Sequence, residues 1–326
     1  MKVHPMWDAY PALSNELSAT VSLMKEQITI QHPEINQKIN QMLTGGGKLL
    51  RPAYSILFSQ FGDSYDAKKS QAVAAAVEII HTATLIHDDV IDESSVRRGQ
   101  SSINAAYSNR IAVYTGDYLF TLCFQLLQEY VEDASVIQLN AKGMEVILMG
   151  ELNQLTNKYN TNMRMRDYFR QIKGKTAELF GLSCFSGAYH ATKDQKFAEQ
   201  AYRIGHNIGV AFQLIDDVLD YTEESEQLGK PALQDLRNGI YTAPLIYAMR
   251  NNRPAIEPLL ANKEEIHDDE VAQVLQIIQQ AGGIEETRLL AQKYTKKALK
   301  QIQNLPNIEA KHILSNITEQ VLNRNF

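Results

Sequence analysis

The stretch SQAVAAAVEIIHTATLIHDDVID, Ser70 to Asp92, decides the architecture. Its apolar residues return every three or four positions, and alanines, the best helix formers, fill the turns between them. The run closes on two adjacent aspartates, Asp88 and Asp89, with Asp92 one turn further on. The same helical period governs Asp133 to Leu155, Ala198 to Leu219 and Glu285 to Leu305. Alternating strand-like runs are scarce, and no strand–helix–strand rhythm is present. The breaks are short: Gly45-Gly46-Gly47, Gly62-Asp63-Ser64, Arg98-Gly99, Asn160-Thr161-Asn162, Gly229-Lys230-Pro231, Arg253-Pro254 and Gly282-Gly283. The expectation is an all-α protein, an antiparallel bundle of roughly ten or more helices with short connections. No linker or low-complexity tract divides it, so residues 1–326 read as one domain.

Composition limits the functions open to such a bundle. Of 326 residues 44% are hydrophobic, enough for a large interior, and 21% are charged, as in ordinary globular chains. A net charge of −6 argues against generic nucleic-acid binding, which needs a basic footprint. Two cysteines, Cys123 and Cys184, lie in apolar stretches without metal-ligand spacing and read as core residues of a reduced, cytoplasmic protein. No secretory pattern opens the chain, and no apolar run approaches the ~20 residues of a transmembrane helix.

The aspartates at the end of the opening stretch have an echo. LIHDDVID at Leu85 to Asp92 is matched by QLIDDVLD at Gln213 to Asp220. On a helix, Asp88 and Asp92 lie one turn apart on one face, and so do Asp216 and Asp220; Asp89 and Asp217 sit beside them. Stacked like charges are destabilising unless a cation neutralises them. Carboxylate oxygens are hard ligands, and Mg²⁺ binds through one or two of them while keeping water and phosphate oxygens in its shell. A lone cluster of this kind is more often a solvated helix end. EEIHDDE, Glu264 to Glu270, has paired aspartates but no long apolar approach and no basic neighbours, and reads as surface. The other two end apolar helices and precede basic loops.

Those loops belong to a wider set of anion-binding features. GGGKLLRP, Gly45 to Pro52, places Lys48 and Arg51 at a helix start, where glycines such as Gly47 let backbone N–H groups approach an anion. It is not a Walker loop, since the spacing fails and Leu49 stands where Ser or Thr is required. Arg97 and Arg98 follow the first cluster, Lys175 and Thr176 open the helix KTAELFGLSCF, and Lys230 follows the second cluster. Adjacent guanidiniums repel, and a bound anion offsets that through bidentate contacts. Two metal-dependent grips beside metal-free basic contacts fit a reaction of two diphosphates, only one of which leaves.

The ordered run GGGKLLRP, HTATLIHDDVIDESSVRRG, TGDYLF, GKTAELF, AFQLIDDVLDYT, GKP and DLRNG, from Gly45 to about Pro244, resembles the trans-polyprenyl diphosphate synthases. The resemblance implies the isoprenoid synthase fold, a helical bundle around a central prenyl-chain cavity. It implies Mg²⁺, three ions per active site, held by Asp88, Asp89, Asp92, Asp216 and Asp220, with Asp217 and Lys175 also catalytic. Lys48, Arg51, His81 and Arg98 match positions that bind isopentenyl diphosphate. Arg97, Lys175, Thr176, Gln213 and Lys230 match contacts to the allylic diphosphate. The chain departs from the family at Leu233, where Gly is common, and near Ser101, where Pro is common.

The implied reaction condenses isopentenyl diphosphate head-to-tail onto farnesyl or geranylgeranyl diphosphate. Product length is argued from geometry. Thr84 and Ala83 lie four and five residues before Asp88, ~6–8 Å deeper along the helix, where a growing tail passes. Small residues there leave the passage open, although a wall such as Phe120 can still close it. In the family that the chain resembles, small residues at these places go with long products, so the resemblance implies a product of about C30 to C40, for a quinone side chain. The alternatives are a short-chain enzyme (C15–C20) and a catalytic subunit inactive without a small partner; a homodimer is the default assembly. A head-to-head condensing enzyme or terpenoid synthase is disfavoured by the second aspartate cluster and by GGGKLLRP. A non-catalytic prenyl-binding subunit is disfavoured by both intact clusters.

Overall fold

The computed structural model describes residues 3–44, 47–63, 65–97, 99–131, 134–222 and 233–323. Helix follows helix: α1 (Pro11–Gln27), α2 (Pro33–Thr44), α3 (Leu50–Ser59), α4 (Ala67–Ile91), α5 (Ile103–Ala106), α6 (Asn109–Tyr130), α7 (Ala134–Thr156) and α8 (Met165–Ile172). A π-helical turn, Lys173–Ala177, joins α8 to α9 (Glu178–Thr192), which precedes α10 (Gln195–Thr222). Then come α11 (Gln234–Arg237), α12 (Ala243–Ile256), α13 (Asp268–Gln280), α14 (Gly283–Gln303) and α15 (Glu309–Leu322). Among the described residues the only strands are β1 (Val96–Arg97) and β2 (Gln100–Ser101), paired antiparallel. The protein is all-α, as its periodicity implies. None of the described helices is long and apolar enough to cross a membrane.

One compact unit takes Met1–Met144, Leu179–Gly205 and Leu305–Leu314. Within it α4 packs against α1, α3 and α6. The α4 helix starts where the Asp66 carboxylate accepts from the Lys69 backbone N–H at 3.1 Å, a helix cap. From Ala72 to Ile80 every residue is buried, so α4 is apolar nearly all round instead of on one stripe. The four alanines in that segment let neighbouring helices approach closely. The α1 helix supplies Leu13, Leu17, Val21 and Met24, all buried at helical spacing. Preceding α1, Trp7 is fully buried, and its indole N–H donates to the Lys48 carbonyl at 2.8 Å. The N-terminal segment thereby ties down the loop that carries Lys48.

The second compact unit takes Glu145–Glu178, His206–Asn304 and Ser315–Phe326. Here α12 packs against α8, α13 and α14. Its core includes Leu214 and Val218 of α10, Leu245 and Ile246 of α12, Val274 and Ile278 of α13, and Ala291 and Ala298 of α14. The break expected at Arg253-Pro254 is a bend inside α12: Asn252 leaves helical geometry (φ −120°), as proline's clash with the preceding turn requires.

Candidate active site

The first aspartate cluster closes α4. Asp88 and Asp89 occupy its last turn, and Asp92 caps the end, with its N–H on the Asp88 carbonyl at 2.8 Å. Glu93 then turns left-handed (φ 50°) and leads into the β1–β2 hairpin. The hairpin brings Arg97 back, and its Nε donates to Asp89 Oδ1 at 2.8 Å. Asp89 itself is buried, 1% exposed. Burial pushes its carboxyl above the ordinary range; Arg97 pulls it down and Asp92 raises it. Asn104 fixes the turn, donating to the carbonyls of Asp89 (3.0 Å) and Ser94 (3.2 Å). Arg97, expected on the allylic diphosphate, here pairs with Asp89; Arg98 lies outside the described residues.

The same unit carries the GGGK segment. Gly47 and Lys48 are half-buried, and Leu49 takes a left-handed conformation (φ 52°) as it caps α3. The Arg51 guanidinium lies over the Phe180 ring, 4.5 Å from its centroid, and the Arg51 carbonyl accepts from the Ser183 hydroxyl. Stacking holds the guanidinium plane. His81 is half-buried on α4. Of the residues expected to set product length, Ala83 is fully buried. Thr84 is half-buried and donates its hydroxyl to the His81 carbonyl at 2.8 Å. That bond turns the hydroxyl into the helix. Phe120 packs on the His87 ring, centroids 5.4 Å apart, in space that Gly116 keeps open: a Cβ there would stand 2.4 Å from His87 Nε2.

The second cluster closes α10 in the other unit. Asp216 is half-buried, whereas Asp217 and Asp220 are buried. Asp217 is surrounded by donors: the Tyr168 hydroxyl reaches Oδ2 at 2.6 Å, Gln213 Nε2 reaches Oδ1 at 3.0 Å, and the Ala243 N–H reaches Oδ2 at 3.4 Å. Burial nevertheless pushes Asp217 up to about 7, the bonds from Gln213 and Tyr168 opposing it and Asp235 adding to it. Gln213 is itself held by the Thr176 hydroxyl on Oε1 at 2.7 Å. Lys175 sits in the π-helical turn and pairs with Glu151 on α7 at 2.9 Å. The structure thus joins Thr176, Gln213 and Asp217 into one chain of hydrogen bonds. Lys230 lies outside the described residues.

Both clusters stand at helix C-termini, where the helix dipole disfavours anions. The paired aspartates of EEIHDDE do the opposite. Asp268, Asp269 and Glu270 form the first turn of α13, where the dipole favours them, and Arg237 binds Asp268 at 2.6 Å. Asp268 and Asp269 are exposed, the surface position that their sequence context suggests. A hard divalent cation suits the C-terminal clusters: their donors are carboxylate oxygens, and Asp89 Oδ2 is buried without a hydrogen-bond partner. Among the described residues no three acidic, histidine or cysteine side chains converge as a complete cation cage.

Sequence reasoning missed Trp7, Phe180, Glu151 and Tyr168. Each is an ordinary apolar or acidic residue in its own helix, and only the packing shows it bound to a candidate residue. Trp7 alone carried a signal, as the single tryptophan of the chain.

With that geometry in place, comparison with known proteins is informative. A family model described as polyprenyl synthetase matches residues 32–280. Component 2 of the heptaprenyl diphosphate synthase of Geobacillus stearothermophilus is 36% identical over 317 residues, covering 97% of this chain and 98% of the relative. The crystal structure of a geranylgeranyl pyrophosphate synthase from Lactobacillus brevis superposes with a TM-score of 0.93 at 38% identity, covering 98% of this chain and 99% of that one. A polyprenyl synthase from Caulobacter crescentus, solved with calcium and isoprenyl diphosphate, gives a TM-score of 0.88 at 30% identity over 96% of this chain and 95% of that one.

Proposed function

The chain belongs to the polyprenyl synthetase family, and from that premise we infer that it condenses isopentenyl diphosphate head-to-tail onto an allylic diphosphate to make a trans long-chain polyprenyl diphosphate. The observation that carries the reading is the pair of carboxylate clusters, each closing a helix, the first with Arg97 on Asp89 and the second tied through Gln213 to Thr176, the chain neighbour of Lys175. The whole chain acts as one synthase domain in the cytoplasm.

In this reading Gly47, Lys48, Arg51, His81 and Arg98 hold isopentenyl diphosphate. Arg97, Lys175, Thr176, Gln213 and Lys230 hold the allylic diphosphate. Lys175 is paired with Glu151 and Arg97 with Asp89, so each cation is already oriented before a phosphate competes for it. Asp88, Asp89, Asp92, Asp216 and Asp220 hold Mg²⁺, three ions per site, supported by the bare Asp89 Oδ2 and by the calcium found with isoprenyl diphosphate in the Caulobacter enzyme. Mg²⁺, when bound, neutralises charge on the diphosphate that leaves. The chain's basic side chains share that electrostatic work. The double bond of isopentenyl diphosphate attacks the allylic carbon as the C–O bond breaks. The released diphosphate takes the proton that the adjoining carbon loses as the new double bond forms.

Ala83 and Thr84 set a long product. The Thr84 hydroxyl is turned into its own helix, which leaves a methyl group for a hydrocarbon tail. The Geobacillus relative is named for a heptaprenyl product, seven five-carbon units, within the range expected here. The Lactobacillus structure is named for a geranylgeranyl product, the shorter alternative. A quinone side chain is the proposed destination. The name component 2 supports a heteromer with a small subunit over the default homodimer.

The test is to incubate the purified chain with Mg²⁺, farnesyl diphosphate and labelled isopentenyl diphosphate and to size the dephosphorylated products. A ladder ending at about C30 to C40, lost with EDTA and with Asp88→Ala, is the expected result. A stop at C20 defeats the tail-passage argument and keeps the chemistry. An inactive chain restored by a co-purifying small subunit establishes the heteromer. Inactivity that no partner relieves removes the prenyltransferase reading.

A further inference from the structure

We propose that Tyr168 is a positioning residue for the second aspartate cluster, acting through Asp217; the proposal rests on the prenyltransferase reading above. Tyr168 is buried (1% exposed) on α8, and its hydroxyl donates to Asp217 Oδ2 at 2.6 Å. Burial holds the phenol well above its ordinary range, so it remains a donor at every working pH. Asp217 Oδ1 accepts from Gln213, whose amide orientation is set by Thr176: with the Thr176 hydroxyl on Oε1, the NH₂ must face Asp217. The Ala243 N–H, at the start of α12, completes the set.

Asp217 therefore ties α10 to α8, to the π-helical turn and to α12 at once. A buried carboxylate occupied by three protein donors has little capacity left for a cation. Its neighbours Asp216 and Asp220, one and three residues away, are the carboxylates assigned to metal. On a helix these three cannot move independently, because a rotation of the last turns of α10 shifts all of them together. The Tyr168 hydroxyl, anchored from outside α10, resists that rotation. Asp217 accordingly supports the metal ligands from behind, and Tyr168 is the side chain outside α10 that fixes it.

The experiment compares wild type with Tyr168→Phe, which keeps the ring and its edge-to-face packing on Phe169 (centroids 5.9 Å apart) and removes only the hydroxyl. The Mg²⁺ concentration giving half-maximal rate is expected to rise about tenfold or more, as for other residues that orient metal ligands. The KM for the allylic diphosphate should rise with it, while the KM for isopentenyl diphosphate stays put. Independently of turnover, the thermal shift produced by Mg²⁺ with inorganic pyrophosphate should shrink. Asp217→Asn should reproduce this pattern, and the double variant should be no worse than the more impaired single one. The proposal is overturned if Tyr168→Phe shows wild-type Mg²⁺ dependence and ligand shift. It is overturned equally if the variant loses stability without ligand while its Mg²⁺ dependence is unchanged, or if Asp217→Asn shows no Mg²⁺ effect. A wild type that neither turns over nor responds to Mg²⁺ and pyrophosphate overturns the underlying function, and this role with it.

Discussion

Leu233 stands in a left-handed conformation (φ 58°) as it caps α11, and its N–H reaches the Asp220 carbonyl at 3.4 Å. A branched side chain there costs about 1–2 kcal/mol, which glycine avoids. A glycine, which the resemblance leads one to expect at this place, would adopt that backbone without strain. Leu233 is nonetheless buried, and deleting a buried leucine side chain costs about 2–5 kcal/mol. The second magnitude is larger, so Leu233→Gly should lower the melting temperature; a rise would mean that strain outweighs packing. Trp7 gives a second prediction at this scale. Trp7→Phe removes the donor to the Lys48 carbonyl, a bond worth about 0.5–1.5 kcal/mol. The KM for isopentenyl diphosphate should rise several-fold while that for the allylic diphosphate is unchanged.

Among the elements, the π-helical turn Lys173–Ala177 governs how α7 meets the segment carrying Lys175. Wide turns of this kind are rare and gather at functional sites. Gly150 and Gly174 meet there: a Cβ on Gly174 would lie 2.8 Å from Gly150 Cα and 2.9 Å from the Val146 carbonyl oxygen. Both obstacles are backbone and cannot turn aside. Gly174→Ala should therefore destabilise the protein by about 1–3 kcal/mol and displace Lys175 from Glu151. Thermal melts together with kcat/KM check this; a variant with wild-type values for both would show that the turn adapts.

Over the whole molecule, acid stability is a direct readout. Burial holds His206 down to about 4, with Lys173 and Lys297 adding to the effect, against about 6.5 in an unfolded chain. Between those values the unfolded state binds the proton and the folded state does not. The stability linked to His206 is thus complete above pH 6.5 and is lost as pH falls toward 4, by no more than about 3 kcal/mol. Asp217, raised to about 7, gives the opposite slope, so the difference between wild type and His206→Asn isolates the histidine. The melting temperature of wild type should fall more steeply from pH 7 to 4.5 than that of the variant; parallel curves would refute the assignment.

Sequence alone determined the helical class, the two aspartate clusters and the basic segments, because each is a local matter of period, spacing and charge. Ser70 to Asp92 shows all three. It also separated EEIHDDE, at a helix N-terminus, from the two clusters that close helices, since an apolar approach is visible in the string. Tertiary structure alone decided which carboxylates are occupied. Asp88, Asp89, Asp216 and Asp217 look alike in sequence, yet Asp217 is enclosed by donors from α8, α10 and α12, and Asp89 keeps one oxygen bare. Tyr168 is 49 residues from its partner, and Trp7 is 41 from Lys48. Contacts at such separations leave no periodic trace in the chain, because a hydrogen bond depends on where two helices are brought, not on how either one repeats.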